Sequence, residues 1–346
     1  MVLAIAKEIE MRKDELKNEL IETIYFGGGT PSILDVADIE FLLNQVYKNY
    51  TVIDTPEITL EANPDDLYIE KLMQLASSPI NRLSIGIQSF FEDDLKMTNR
   101  AHNAAEALNC LKMATEYFDN ISIDLIYGIP EMSNERWTQN IKTALSFGIS
   151  HISSYALTVE PKTALHKFIK SGKMQAPKDD VASNHFDILV NTLEKNGFIH
   201  YELSNFGKEN YFSKNNSNYW LGKKYIGIGP SAHSFDGLRR SWNCANNTKY
   251  IKSIQNNELP NETEVLSITD KYNEYVMTGL RTIWGVSAQK ISDDFGEKYH
   301  HYFLANAQKS IAGGFLIFEN NILKTTKKGK FLCDGLASDL FMINDK

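Results

Sequence analysis

The most constraining feature of this chain is an alternation in its first half. Short apolar, β-prone runs are followed each time by a segment with helical spacing. The runs are ETIYF (22–26), EITLE (57–61), RLSIGIQ (82–88), ISIDLIY (121–127) and ISHISSYAL (149–157). Between them lie DVADIEFLLNQVYKNY, AAEALNCLKMATEYF and NERWTQNIKTALSFG. In the first of these, Ile39, Leu42, Leu43, Val46 and Tyr47 form one stripe, and Asp35 is placed to cap it. Gly148 ends the third. Strand–helix repetition at this spacing predicts parallel strands joined by helical crossovers. A doubly wound sheet and a (β/α) barrel both satisfy it, and the strand ends favour the barrel. Gly27–Gly29, Glu61 and Gln88 close the first three runs, Asp124 lies in the fourth, and Thr158 and Glu160 follow the fifth. Polar groups gathered at strand C-termini around a ring are how barrel enzymes build a site.

With 346 residues, the chain has room for one large domain and a smaller one. A formal net charge of -8 argues against a general affinity for nucleic acid or acidic membranes. No apolar run is long enough to span a bilayer. The start, MVLAIAKEIEMRKDEL, meets acidic residues too soon for a signal peptide, so a cytoplasmic protein is expected. Its three cysteines, Cys110, Cys244 and Cys333, are far apart in sequence and form no CxxC. They predict reduced thiols, with no local metal site and no disulfide framework.

Segment 176–200 reads as a helix, with Phe186, Leu189, Val190 and Leu193 on one face and Gly197 at its end. Residues 201–235 are rich in Gly, Asn and aromatic residues, which predicts a long loop serving as a lid or binding surface. From about 240 come helical segments, a hairpin around Glu319-Asn320-Asn321 and a closing helix, the pattern of a small winged-helix-like α+β domain. Residues 261–346 hold ten basic and eleven acidic side chains. DNA binding wants a basic stripe, so this domain reads as structural. The expected domains are 1–235, with 201–235 as a connecting segment, and 240–346.

The run GGGTP (27–31) is neither a Walker loop nor a GxGxxG fingerprint. Its glycines allow close approach of a ligand to bare backbone, and they equally suit a tight turn. A series of motifs narrows this. IYFGGGTPSIL, EANP (61–64), RLSIGIQSF (82–90), NRAH (99–102) and SIDLIYGIP (122–130) occur in order. HISSYALTVEPKT (151–163), YELSNF (201–206), NNSNYW (215–220) and YIGIGPSAHSF (225–235) follow. The series resembles the radical S-adenosylmethionine family, in the branch that holds oxygen-independent coproporphyrinogen III oxidase and the HemW-type haem chaperones. That resemblance implies a partial (β/α)6 barrel with the ligand at the strand C-termini. It implies that Gly27, Gly28, Gly29 and Thr30 hold the methionine part of S-adenosylmethionine and that Glu61 lies near the ribose. It implies further contacts from Gln88, Arg100 and Asp124. The ligand carries a sulfonium, an amine, a carboxylate and ribose hydroxyls, so a site with both signs of charge suits it, and an Arg–carboxylate pair orients it.

Two departures limit what the resemblance implies. The family's 4Fe–4S cluster sits on three cysteines in a Cys-x3-Cys-x2-Cys pattern upstream of the glycine turn, and soft thiolates are needed there. Nothing of the kind precedes Gly27; residues 1–20 read as the helix that follows such a loop. The first barrel strand and the cluster loop are therefore expected to be missing, leaving the strand at 22–26 as a sheet edge. No catalytic residue is assigned, and radical chemistry would have no electron source on this chain alone. The second departure is Asn215, where HemW-type proteins have the His of an HNxxYW motif linked to haem. Asn216, Tyr219 and Trp220 keep the rest, and His233 is a substitute candidate for haem iron. The leading expectation is a haem chaperone whose partners are haem and apo-haemoproteins. The oxidase and a non-catalytic remnant that binds a nucleoside or a protein partner are the alternatives.

Overall fold

All five apolar runs of the first half become strands. A computed structural model describes residues 1–161, 163–172 and 174–343. Its main sheet contains β1 (Ile21–Phe26), β2 (Val52–Ala62), β3 (Arg82–Gln88), β4 (Ile121–Tyr127), β5 (His151–Ala156), β6 (Ile199–Glu202) and β7 (Asn205–Gly207). The strand order is β1-β2-β3-β4-β5-β7-β6, which leaves β1 at an edge among the described residues. β2 to β5 pair in parallel, and β7 joins β5 and β6 antiparallel. The sheet curls into a half-barrel, as the alternation and the strand ends predicted.

All seven residues of β3 are buried, yet they alternate in polarity. Strand geometry sends Leu83, Ile85 and Ile87 to one face and Arg82, Ser84, Gly86 and Gln88 to the other. Register carries the division to the neighbouring strands. Leu83 pairs with Ile121, Ile85 with Ile123, Glu61 with Ser84 and Asp124 with Ser153. The apolar face is the fold's core, and buried Leu72, Leu75, Leu111, Trp137 and Ile141 of the crossover helices belong to it.

The other face is buried and polar, and several of its groups bond one another. His151 is fully buried, with Nδ1 2.6 Å from Ser122 Oγ and Nε2 2.7 Å from Tyr201 Oη. Ser153 Oγ donates to Asn205 Oδ1 at 2.5 Å, and Asn205 donates in turn to Glu202. Burial, then the neighbouring Arg82, hold the His151 imidazole well below its usual range, so it is neutral.

The chain divides into two compact units: 23–40 with 56–213, and 1–22 with 41–55 and 214–346. The second unit includes the first helix, Val2–Met11. That helix is shorter than the expected 1–20: its C-cap is Arg12, at φ -102° and ψ 10°, and the Arg12 guanidinium bonds Glu8 and Glu15. Glu8 is buried and accepts from Gly229 N at 2.8 Å, Asn243 Nδ2 at 2.7 Å and Tyr250 Oη at 2.5 Å. Arg12 donates to Gly227 O at 2.8 Å and Ser234 Oγ at 3.0 Å.

The later part of this unit has the expected winged-helix pattern. Helix Ile268–Leu280 leads to strand Val286–Ser287, helices Ala288–Phe295 and Glu297–Ala312, and the hairpin Leu316–Glu319/Ile322–Thr325. Asn320 and Asn321, at φ 51° and 62°, make its turn.

The stretch 201–235 is not the long loop expected. It holds the end of β6, β7, helix Lys214–Trp220 and strand His233–Phe235. Tyr201 and Phe206 are fully buried, and Tyr201 stacks on Phe212 at 4.3 Å. These elements are too short for periodicity to reveal. The helix expected over 176–200 spans Asp179–Lys195, since the chain turns at Gly197 (φ 80°) into β6.

Candidate functional site

β1 delivers the chain into the glycine run. Gly28 and Gly29 take left-handed backbone (φ 74° and 69°), and the space where a side chain would start is open at both. A Cβ on Gly27 would lie 2.6 Å from the Tyr25 ring and 3.0 Å from the Glu61 carboxyl carbon. Glu61, near the end of β2, ties this turn down. It accepts from Tyr25 Oη at 2.8 Å and from Gly28 N at 3.1 Å. Burial, then the Glu61 charge, push the Tyr25 phenol far up, so it stays a donor. Thr30 follows directly, at the N-cap of the short 3-10 helix Pro31–Ile33.

β3 ends on Gln88 with φ 67°, a left-handed conformation that costs a non-glycine residue roughly 1–2 kcal/mol. The pairing with β4 slips between Ile85 and Gln88. Strain of this kind gathers at functional sites. Gly86 lies in the slipped segment. Its backbone carbonyl accepts from Arg100 Nη2 at 3.3 Å, and a Cβ there would sit 2.9 Å from that nitrogen and 3.0 Å from Gln88 Nε2. Arg100 Nη2 also donates to Asn63 Oδ1 at 3.1 Å.

On β4, Asp124 is raised to about 7, first by burial and next by the Glu61 charge; Arg82, Arg100 and a hydrogen bond with Ser153 oppose the shift. The ends of β1, β2 and β3, with Asp124 on β4 and Arg100 from the segment after helix Glu92–Met97, thus bring two carboxylates, one guanidinium, two amides and bare backbone N–H groups together. Such a set can receive a ligand that carries both charges and hydroxyl groups.

Sequence reasoning missed Tyr25, Asn63, Gly86 and Ser153. Asn63 and Gly86 lie inside EANP and SIGIQ, but only the contacts show what they do. Ser153 is legible only through the register of β5 on β4.

The haem candidates lie in the other unit. Asn215, Asn216, Tyr219 and Trp220 share helix Lys214–Trp220, and His233 opens strand His233–Phe235. Tyr219 meets Tyr225 edge-on at 4.5 Å. The Arg281 guanidinium sits over the Trp220 ring at 5.3 Å, so one face of that indole is taken.

Residues 3–144 match the Radical SAM superfamily, and residues 266–332 match the HemN C-terminal domain. The chain is 32% identical to the heme chaperone HemW of Bacillus subtilis over 317 residues, covering 90% of this chain and 83% of that protein. It belongs to the HemW family of radical SAM proteins. The HemW of Buchnera aphidicola from Acyrthosiphon pisum is 34% identical, over 96% of this chain and 87% of its own. The HemN coproporphyrinogen III oxidase of Escherichia coli superposes with a TM-score of 0.82, over 98% of this chain and 82% of that one. At 20% identity that likeness shows the fold.

Membership in the HemW family implies S-adenosylmethionine and a 4Fe–4S cluster. The strand-end residues fit the first. The cysteines of this chain do not fit the second. Cys110 is buried in helix Ala104–Tyr117, and its thiol is pushed up to about 12 by burial. Cys333 is buried and raised to about 11, and it donates to Leu280 O at 3.2 Å. Cys244 donates to Asn246 O at 3.8 Å. Three thiols on separate elements, with those of Cys110 and Cys333 held protonated by burial, make no three-thiolate set. Among the described residues no helix is long and apolar enough to cross a membrane.

Proposed function

We propose that this HemW-family chain is a cytoplasmic haem carrier that hands haem to apo-haemoproteins, and that its half-barrel binds S-adenosylmethionine at the strand ends. The observation that carries the reading is identity to named heme chaperones along nearly the whole chain, including both the half-barrel and the winged-helix part. The convergence of Glu61, Gln88, Arg100 and Asp124 beside the glycine turn supports the ligand.

In this reading the backbone of Gly27–Gly29 and Thr30 meets the amine and carboxylate of the methionine part. Arg100, already aimed by Asn63 and Gly86, pairs with the carboxylate. Glu61 takes the ribose hydroxyls while it keeps the turn closed. Asp124 and Glu61 balance the sulfonium charge, and Gln88 adds an amide. The ligand, when reduced, supplies a carbon radical; the side chains named here bind and orient it.

Calorimetric titration of the full chain with S-adenosylmethionine, without iron, is expected to give one saturable site. Ferric haem is expected to shift the Soret band at one equivalent and then to pass to an apo-haemoprotein. A chain that takes neither ligand sinks the reading.

The cysteine positions favour a second reading, in which the same pocket binds its nucleoside without radical chemistry. Anaerobic reconstitution of this polypeptide with iron and sulfide is expected to leave far fewer than the four irons per chain of a full cluster. Four irons with matching sulfide would contradict that.

A further inference from the structure

Residues 261–265 read Asn-Glu-Thr-Glu-Val, with Pro260 before them. They form the strand Asn261–Val265 at one edge of a three-stranded antiparallel sheet. Its central strand is Arg239–Asn243, and His233–Phe235 is the other edge. All five residues of Asn261–Val265 are exposed. On the inner side, Cys244 N donates to Pro260 O at 2.8 Å and Leu266 N donates to Leu238 O at 3.1 Å. An antiparallel ladder turns alternate residues to the same neighbour, so Glu262 and Glu264 bond inward as well. The N–H and C=O groups of Asn261, Thr263 and Val265 then point away from Arg239–Asn243, where the sheet has no further strand among the described residues. A row of outward main-chain groups of this kind is a template for another strand.

The side chains decide what such a strand must carry. Glu262 and Glu264 lie on one face of the edge strand, and Asn261, Thr263 and Val265 on the other. Val265 is 74% exposed. At the C-terminal end of the strand, between it and helix Ile268–Leu280, lies a cleft of about 430 Å³. Its walls hold three carboxylates, Glu264, Asp270 and Glu274, against one guanidinium, Arg240. Arg240 reaches Glu274 at 2.7 Å and Glu264 at 3.7 Å, and negative charge stays in excess. Met277 and Phe341 supply apolar wall. Such a cleft suits a lysine or arginine side chain, whose stem packs on apolar surface while its head meets carboxylates. A second copy of this chain is a poor occupant of the edge. Antiparallel pairing of two such edges about Thr263 sets Glu262 opposite Glu264 in both directions, and like charges directly opposite destabilise a ladder.

We propose that the strand Asn261–Val265 is a docking edge that takes an extended, basic segment of a partner protein as a fourth, antiparallel strand, with one of its lysine or arginine side chains seated in the cleft. Main-chain hydrogen bonds to Asn261, Thr263 and Val265 supply the pairing. Basic side chains on one face of the guest strand meet Glu262 and Glu264, and apolar ones on the other face meet Val265. None of these residues belongs to the strand-end pocket, so the docking edge stands or falls apart from both ligand readings.

The test is fluorescence anisotropy of the full chain with two labelled heptapeptides, one alternating lysine and valine, the other alternating glutamate and valine. The lysine peptide is expected to bind at least about tenfold more tightly than the glutamate peptide, and to weaken as salt is added. Thr263→Pro removes an outward N–H that the sheet itself does not use. It is expected to weaken binding about tenfold, while Thr263→Val leaves binding unchanged. Glu262→Lys with Glu264→Lys is expected to reverse the preference between the peptides. The lysine peptide N-methylated at its valines is expected to lose binding. That peptide reads the main-chain pairing without altering the protein, and it serves where Thr263→Pro does not fold. Equal affinity for the two peptides, or no binding of either, overturns the proposal. So does full affinity in folded Thr263→Pro or for the N-methylated peptide. A dimer of the parent chain that Thr263→Pro dissolves would give the edge to a second copy and overturn it as well.

Discussion

Glu8→Ala is expected to lower the unfolding free energy by about 3–5 kcal/mol, the loss typical of breaking a buried ion pair by removing one partner. Glu8 is 0% exposed and Arg12 2% exposed. The substitution removes the acceptor for Gly229 N, Asn243 Nδ2 and Tyr250 Oη at once. Gly229 N and Tyr250 Oη would be left without that partner in the interior, and each such group costs about 1–3 kcal/mol. Arg12 would keep Glu15, which is 45% exposed and a weaker partner. Urea denaturation of the full chain measures the change. A loss below about 1 kcal/mol would show that Glu8 does not hold the first helix to segment 227–250.

The second large effect concerns pH. Asp124 has its carboxyl raised to about 7, with burial as the main cause. If its charge balances the sulfonium, S-adenosylmethionine binds best to the ionised form. The sign follows directly: below pH 7 the free protein carries a proton that the ligand must displace, and above it there is none to displace. Affinity is therefore expected to fall about tenfold between pH 8 and pH 6. Asp124→Asn is expected to bind weakly and without that slope. Titration calorimetry at several pH values decides it. A flat profile in the parent would remove Asp124 from the ligand's charge balance.

How far these features could be read from sequence depends on their range. β3 and β4 occupy the same residues as the apolar runs, because each is short, uninterrupted and bounded by polar punctuation. β2 begins earlier than EITLE, at Val52, since Asp54, Thr55 and Pro56 break the apolar pattern without breaking the strand. The Asn320-Asn321 turn was legible because Asn tolerates the left-handed backbone that a tight hairpin needs. The strand-end residues were legible as motifs, and the half-barrel as alternation. Glu8 was not, since it reads as one polar residue on an amphipathic helix. Its partners lie more than 200 positions away, at Gly229, Asn243 and Tyr250. Tyr25 and Gly86 were hidden likewise: their roles are distances to Glu61 and Arg100, which composition does not carry. His233 was visible as a histidine, but only the strand register puts Trp242 beside it.

The two-sidedness of β3 has a consequence for how such a protein changes over time. Cohesion comes from the Leu83–Ile85–Ile87 side, and lower on the opposite side Ser122, His151 and Tyr201 are already spoken for. What remains adjustable is a thin rim at the strand tips. A lineage can alter that rim one residue at a time while the scaffold beneath it persists.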